Sequence, residues 1–154
     1  MKRIREMELK FTVAGRMPKS VNEVFEAVAD PDRLSCFFTT GGAKGRLAPG
    51  AEVTWDFHDF PGAFPVLVQE VVQNEKIVLQ WEATQDPSTW TTVTMTFHEL
   101  EDGRTLVRIS EYGWPETEDG LKSSFGNCEG WTGMLCAMKA WLEHGINLRD
   151  GFYK

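Results

Sequence analysis

The chain has 154 residues, 42% hydrophobic and 25% charged, and 16 Lys and Arg against 23 Asp and Glu leave a formal charge of -7. These proportions exclude a disordered, collagenous or coiled-coil chain and fit one domain, residues 1–154, that buries roughly two-thirds of its unfolded surface. The negative charge argues against nucleic acid and anionic headgroups as partners, because the nearest basic cluster, Lys2, Arg3 and Arg5, is short.

Met7, Leu9, Phe11 and Val13 alternate with Glu6, Glu8, Lys10 and Thr12, the period of a strand with one buried face. Ser20 and Glu23 then form a capping box, and Val21, Val24, Phe25 and Val28 recur at helical spacing until Asp30-Pro31 stops the run. Asp32 to Phe38 predicts a second helical turn, and Thr39 to Gly50, with four glycines and Pro49, predicts mostly loop. From there to about residue 113 the pattern is all strand. Val53, Trp55 and Phe57 alternate with polar residues, Pro65 to Val72 is valine-rich, and Ile77, Leu79 and Trp81 alternate with Val78, Gln80 and Glu82. Val93, Met95 and Phe97 continue a meander; Asn74-Glu75-Lys76 and Asp102-Gly103 supply turns, the second leading into Thr105 to Tyr112.

The last third changes period. Leu121, Phe125, Cys128, Trp131, Leu135, Met138, Leu142 and Ile146 recur at a mean spacing of about 3.6, the α-helical repeat. Met134, Ala137 and Trp141 widen the stripe of this long C-terminal helix. Gly126, Gly130 and Gly133 weaken its propensity by up to about 1 kcal/mol each, so packing must hold it, and small residues let another element approach closely.

No stretch approaches the roughly 20 apolar residues of a membrane span, and MKRIREMELKF lacks the apolar core of a signal peptide, so a cytoplasmic protein without membrane insertion is expected. Cys36, Cys128 and Cys136 are odd in number and lack a Cys-x-x-Cys pair, which predicts reduced, mostly buried thiols. On one helix, Cys128 and Cys136 stand about 12 Å apart, too far for a bridge. The loop Gly41-Gly42-Ala43-Lys44-Gly45-Arg46 lacks phosphate-loop spacing and reads as flexible. His58-Asp59 is too short a motif for metal ligation or a triad, and His98 and His144 stand alone, so neither a metal nor a cofactor is expected. Glu70 is either a bulge residue or a second cavity carboxylate.

A strand, two short helices, a run of antiparallel strands and one long helix make an α+β pattern, the helix covering one face of a curved sheet. Such a sheet leaves space between its layers. The candidate lining is Trp55, Trp81 and Phe97 from the strands, Trp131 and Trp141 from the helix, and Phe37 and Phe38 from the connection.

The order Val21-x-x-Val24-Phe25 with Asp30-Pro31-Asp32-Arg33-Leu34, then Gly41-Gly42, Pro49-Gly50, Glu75 to Trp81, Gly113-Trp114, and Gly130-Trp131 before Met134-Leu135-x-x-Met138 resembles the SRPBCC or START-like superfamily. Within it, the match is to the branch of the activator of heat-shock protein 90 ATPase, over about residues 8 to 146. The resemblance implies the helix-grip fold of the birch-pollen allergen: about seven antiparallel strands, with two short helices after strand 1, gripping the C-terminal helix over an apolar cavity. It implies a small hydrophobic molecule as partner, with Phe37, Phe38, Trp55, Trp81, Phe97, Glu111, Trp131, Leu135 and Met138 as candidate ligand-binding residues. Relatives often carry Trp at Phe37 and His at Glu111, so mouth and floor differ chemically here. The eukaryotic co-chaperone that names the branch carries this fold as one domain of two.

Val107, Ile109 and Glu111 share the inner face by alternation, and a carboxylate among apolar side chains is a candidate acid or base, or an anchor for a polar ligand group. Three functions follow: a non-enzymatic carrier or sensor of a small apolar molecule; a cyclase, dehydratase or hydrolase using Glu111 with Tyr112 or His58; and a chaperone ATPase co-regulator. A homodimer is compatible with each, with Trp90, Trp114, Phe152 and Tyr153 as candidate exposed contacts.

Overall fold

The computed structural model describes residues 8–82 and 88–154. The basic cluster Lys2, Arg3 and Arg5, and Glu6 and Met7 of the first alternating run, lie outside the described residues. The elements run β1 (Lys10–Met17), α1 (Val21–Ala29), α2 (Pro31–Leu34), β2 (Gly42–Lys44), β3 (Glu52–Asp56), β4 (Phe64–Val72), β5 (Lys76–Glu82), β6 (Trp90–Glu99), β7 (Thr105–Tyr112) and α3 (Glu118–His144). The seven strands form one antiparallel sheet in the order β1-β7-β6-β5-β4-β3-β2.

Local chemistry places the ends of these elements. The Ser20 side chain accepts from the Glu23 backbone N–H at the start of α1, and Asp30 closes α1 while its carboxylate caps α2 at Asp32. Thr117 caps α3, and Gly145, with φ of 68°, ends it in the left-handed conformation that favours glycine. The alternation of β6 puts Val93, Met95 and Phe97 into the core with Val107 and Ile109 of β7 and Ile77 and Leu79 of β5. Phe25 of α1 meets Phe97 edge-on, with ring centres 5.2 Å apart. Leu135 of α3 lies against Gly15 of β1.

Several expectations change. The glycine-rich stretch after α2 holds a short edge strand, β2, paired with β3 from Gly42 to Lys44, so it is not simply a flexible loop. Gln69 is the extra residue of a bulge between Val68 and Glu70, and Glu70 faces outward to Lys76 at 2.9 Å; it is no cavity carboxylate. α3 ends at His144, leaving Ile146 beyond it and exposed, and Leu121 and Phe125 of the apolar stripe are exposed too. Trp114 is buried, stacked on Phe11 at 5.6 Å, which removes it as an exposed contact. The cysteines are free but not buried: Cys36 and Cys128 are half-buried and Cys136 exposed. Among the described residues, no helix is long and apolar enough to cross a membrane.

Candidate functional site

Two side-chain constellations lie against α3. The first surrounds Glu111. Its neighbours across the sheet are Phe11 on β1 and Val93 on β6, and its side chain turns inward, fully buried. Trp81 Nε1 and Thr91 Oγ1 donate to Oε2 at 2.9 and 2.6 Å, and Trp131 Nε1 donates to Oε1 at 2.8 Å. Asn127 Nδ2 donates to both oxygens, at 3.2 and 3.0 Å. Trp81 and Thr91 come from paired positions of β5 and β6, while Asn127 and Trp131 stand four apart on one face of α3. Each N–H of these partners can only donate, which suits a carboxylate whose oxygens only accept. Glu111 therefore ties three strands to the helix without a cationic partner among its hydrogen bonds.

Trp81 and Trp131, oriented by those bonds, are the inner wall of a cavity of about 270 Å³ where α3 meets the end of β5. Phe38, Phe57 and Phe60 supply the other rings, and Gly126, Asn127, Gly130 and Arg149 complete the lining. The rings interlock: Phe38 stacks on Trp131 at 5.3 Å and meets Phe57 edge-on at 5.0 Å, and Trp81 lies 5.2 Å from Trp131. A Cβ at Gly126 or Gly130 would meet nothing within 4 Å, so these two glycines leave open space beside the cavity.

The second constellation is the segment after α3. Arg149 forms a forked pair with Asp59, Nε and Nη2 donating to the two carboxylate oxygens at 3.1 and 3.2 Å. Asp59 is buried, and the guanidinium lies 4.3 Å above the Phe57 ring. His58, from the same loop as Asp59, contacts Thr40 through Nδ1 and approaches Asp150 at 3.9 Å. Gly133 lets the segment close on the helix, because a Cβ there would stand 2.6 Å from the Tyr153 hydroxyl. Burial pushes that hydroxyl above the usual phenol range, with Arg149 opposing. Between the segment and α3 lies an outer cavity of about 640 Å³ with Phe37, Met134 and Ala137 among its lining.

Of the residues singled out by sequence, Phe38, Trp81 and Trp131 come together around the inner cavity, with Glu111 bonded to two of them. Phe37 lines the outer cavity and stacks on Trp141 at 5.6 Å. Trp55, Phe97, Leu135 and Met138 are buried in the core and line neither cavity; Trp55 backs Phe38 and Trp81 edge-on. Sequence reasoning missed Asn127, Thr91, Asp59 and Arg149. Asn127 carried a signal, a polar residue four positions before Trp131; Arg149 stood alone among Leu148, Phe152 and Tyr153 in a tail that reads as surface. Tyr112 alternates to the outer face and is exposed, away from Glu111. No group of three or more His, Cys, Asp or Glu that could hold a metal occurs among the described residues.

Comparison with solved structures returns this architecture repeatedly. Protein SSP2350 from Staphylococcus saprophyticus superposes with a TM-score of 0.76 at 26% identity, covering 91% of this chain and 96% of that one. The Aha1 dimer from Colwellia psychrerythraea gives 0.74 at 21%, covering 90% and 98%. DynU16, from the dynemicin biosynthetic locus, gives 0.76 at 23%, covering 90% of this chain but 49% of that one, about half its length. No curated protein sequence matches. The helix-grip arrangement of a curved seven-stranded sheet and a long C-terminal helix is thus shared with these neighbours. Residues 18–143 match the family described as Activator of Hsp90 ATPase homolog 1-like protein, and the chain belongs to that family.

Proposed function

We propose that the protein binds a small, largely hydrophobic molecule in the inner cavity. The observation that carries this reading is the ring set itself: Phe38, Phe57, Phe60, Trp81 and Trp131 surround one space beside two glycines that leave it open. Rigid aromatic walls with few polar groups are the usual lining of a small-molecule site. Glu111 acts here as the post that orients Trp81 and Trp131. Both of its oxygens already accept hydrogen bonds and it is fully enclosed, which favours binding over acid or base chemistry at that carboxylate. Trp55 backs Phe38 and Trp81 edge-on, while Phe97, Leu135 and Met138 are core residues.

Naphthalene is a suitable probe, since it offers only an apolar aromatic face. Its binding is expected to change tryptophan fluorescence in the wild type and to be lost in Gly130→Leu, whose side chain enters the open space at that position. Unchanged binding by a folded Gly130→Leu protein would remove the inner cavity as the site.

A further inference from the structure

We propose that the outer cavity is a second binding site, for a neutral apolar molecule carrying a carbonyl oxygen, with Arg149 as the group that recognises the carbonyl. Among the described residues, Arg149 is the one that lines both cavities, standing in the wall between them. Its side chain is only 10% exposed. The forked pair with Asp59 uses Nε and Nη2, and Nη1 makes no hydrogen bond to any described residue. A guanidinium has five N–H donors, and Nη1, which is not among the buried unpartnered polar atoms of the described residues, is free to donate to an acceptor that enters the cavity.

The volume and lining set the rest of the ligand. About 640 Å³ lies within the range of drug-sized sites, and Phe37, Phe125, Met134, Ala137, Leu148 and Phe152 give it an apolar character. The charge balance selects a neutral acceptor over an anion. Asp59 already compensates Arg149, and Glu129 also lines the cavity, so an added carboxylate would meet an already paired guanidinium in a lining that carries a second acidic side chain. A carbonyl oxygen accepts from Nη1 without that penalty. The segment that holds Arg149 is fixed at several points: Arg149 on Phe57, Tyr153 against Phe60 at 6.0 Å, and Lys154 over Phe60 at 4.4 Å. The donor is therefore held in place before a ligand arrives.

Benzophenone and diphenylmethane form a matched pair, two phenyl rings joined with and without a carbonyl. Titrated into the wild type, benzophenone is expected to bind about 10-fold or more tightly, the increment of one hydrogen bond to a charged donor. The preference should vanish in the double variant Arg149→Met/Asp59→Leu, which still takes diphenylmethane. Irradiated benzophenone attacks neighbouring C–H bonds, so the labelled peptides should contain Met134, Ala137 or Leu148. Equal affinities in the wild type would overturn the carbonyl recognition. Binding of neither compound, or tighter binding of diphenylacetate than of benzophenone, would overturn the proposed site or its ligand class. Labelling confined to Phe60 and Trp81 would place the ketone in the inner cavity and also overturn the proposal, while leaving the inner-cavity reading intact. The wild-type titration and the label decide the matter even if the double variant does not fold.

Discussion

Glu111 and Arg149 are both enclosed charges on the flanks of α3, and they are held in opposite ways. Glu111 meets four neutral donors that come from β5, β6 and α3, and both oxygens are engaged. Arg149 meets one carboxylate and three aromatic rings, and part of its fork is unused. A buried charge with every partner in place joins elements together; one with an open donor beside a cavity is prepared for something else. The difference also separates two kinds of tryptophan. Trp81 and Trp131 spend their indole N–H on Glu111, whereas Trp55 and Trp114 have buried indole nitrogens without a hydrogen-bond partner among the described residues.

The comparison can be broken most directly at Glu111. Glu111→Ala strands four donors and opens a void, and should cost about 4 kcal/mol of unfolding free energy by urea denaturation. Glu111→Gln keeps the shape but sets an NH2 group against donors, and should cost about 2 kcal/mol. A loss within about 0.5 kcal/mol for the alanine variant would show that these hydrogen bonds do not hold the helix to the sheet.

The Arg149 side predicts a different pattern, non-additive in sign. Asp59→Leu alone leaves the guanidinium without its carboxylate and should cost about 3 kcal/mol, whereas adding Arg149→Met should restore stability to within about 1 kcal/mol of the wild type. Additive losses in the double variant, measured by the same denaturation, would mean that the pair itself carries stability and is not merely satisfied.

The smallest effect belongs to a third pair, at the surface. Arg46 donates to both oxygens of Glu26 at 2.6 and 2.8 Å, and those hydrogen bonds lower its carboxyl pKa from the ordinary 4.5 to about 2, with Gln73 assisting and burial opposing. A depressed folded-state value makes the stabilisation complete above the unfolded value of 4.5 and removes it as the pH falls through 2. Arg46 is 45% exposed, so solvent screening limits the pair to about 0.5 kcal/mol. The stability gap between wild type and Glu26→Gln should therefore be constant near pH 7, shrink below pH 4.5 and close near pH 2. A gap that widened on acidification would contradict the assignment.

Much of the fold was legible in short windows. The N-cap at Ser20, the stop at Asp30-Pro31 and the alternation of Thr105 to Tyr112 each depend on neighbours within a few residues, and each appears where it was expected. β2 was not legible, because three residues carry too little pattern and its pairing partner β3 lies beyond a glycine-rich turn. The α3 stripe was read correctly as helix but not as wholly buried. Leu121 and Phe125 share the helical period of Trp131 and Leu135, yet they are exposed.

By itself the sequence determined the order and type of elements, the α+β class and the inward side of Glu111, since periodicity and turn chemistry are local properties of a chain. Only the tertiary structure decided what each buried face meets. Trp81 reaches Glu111 across 30 positions and Arg149 reaches Asp59 across 90, and no local pattern encodes such a meeting. It follows from how the sheet, the helix and the last ten residues close on one another. There a buried charge must find whatever donors or acceptors the packing supplies.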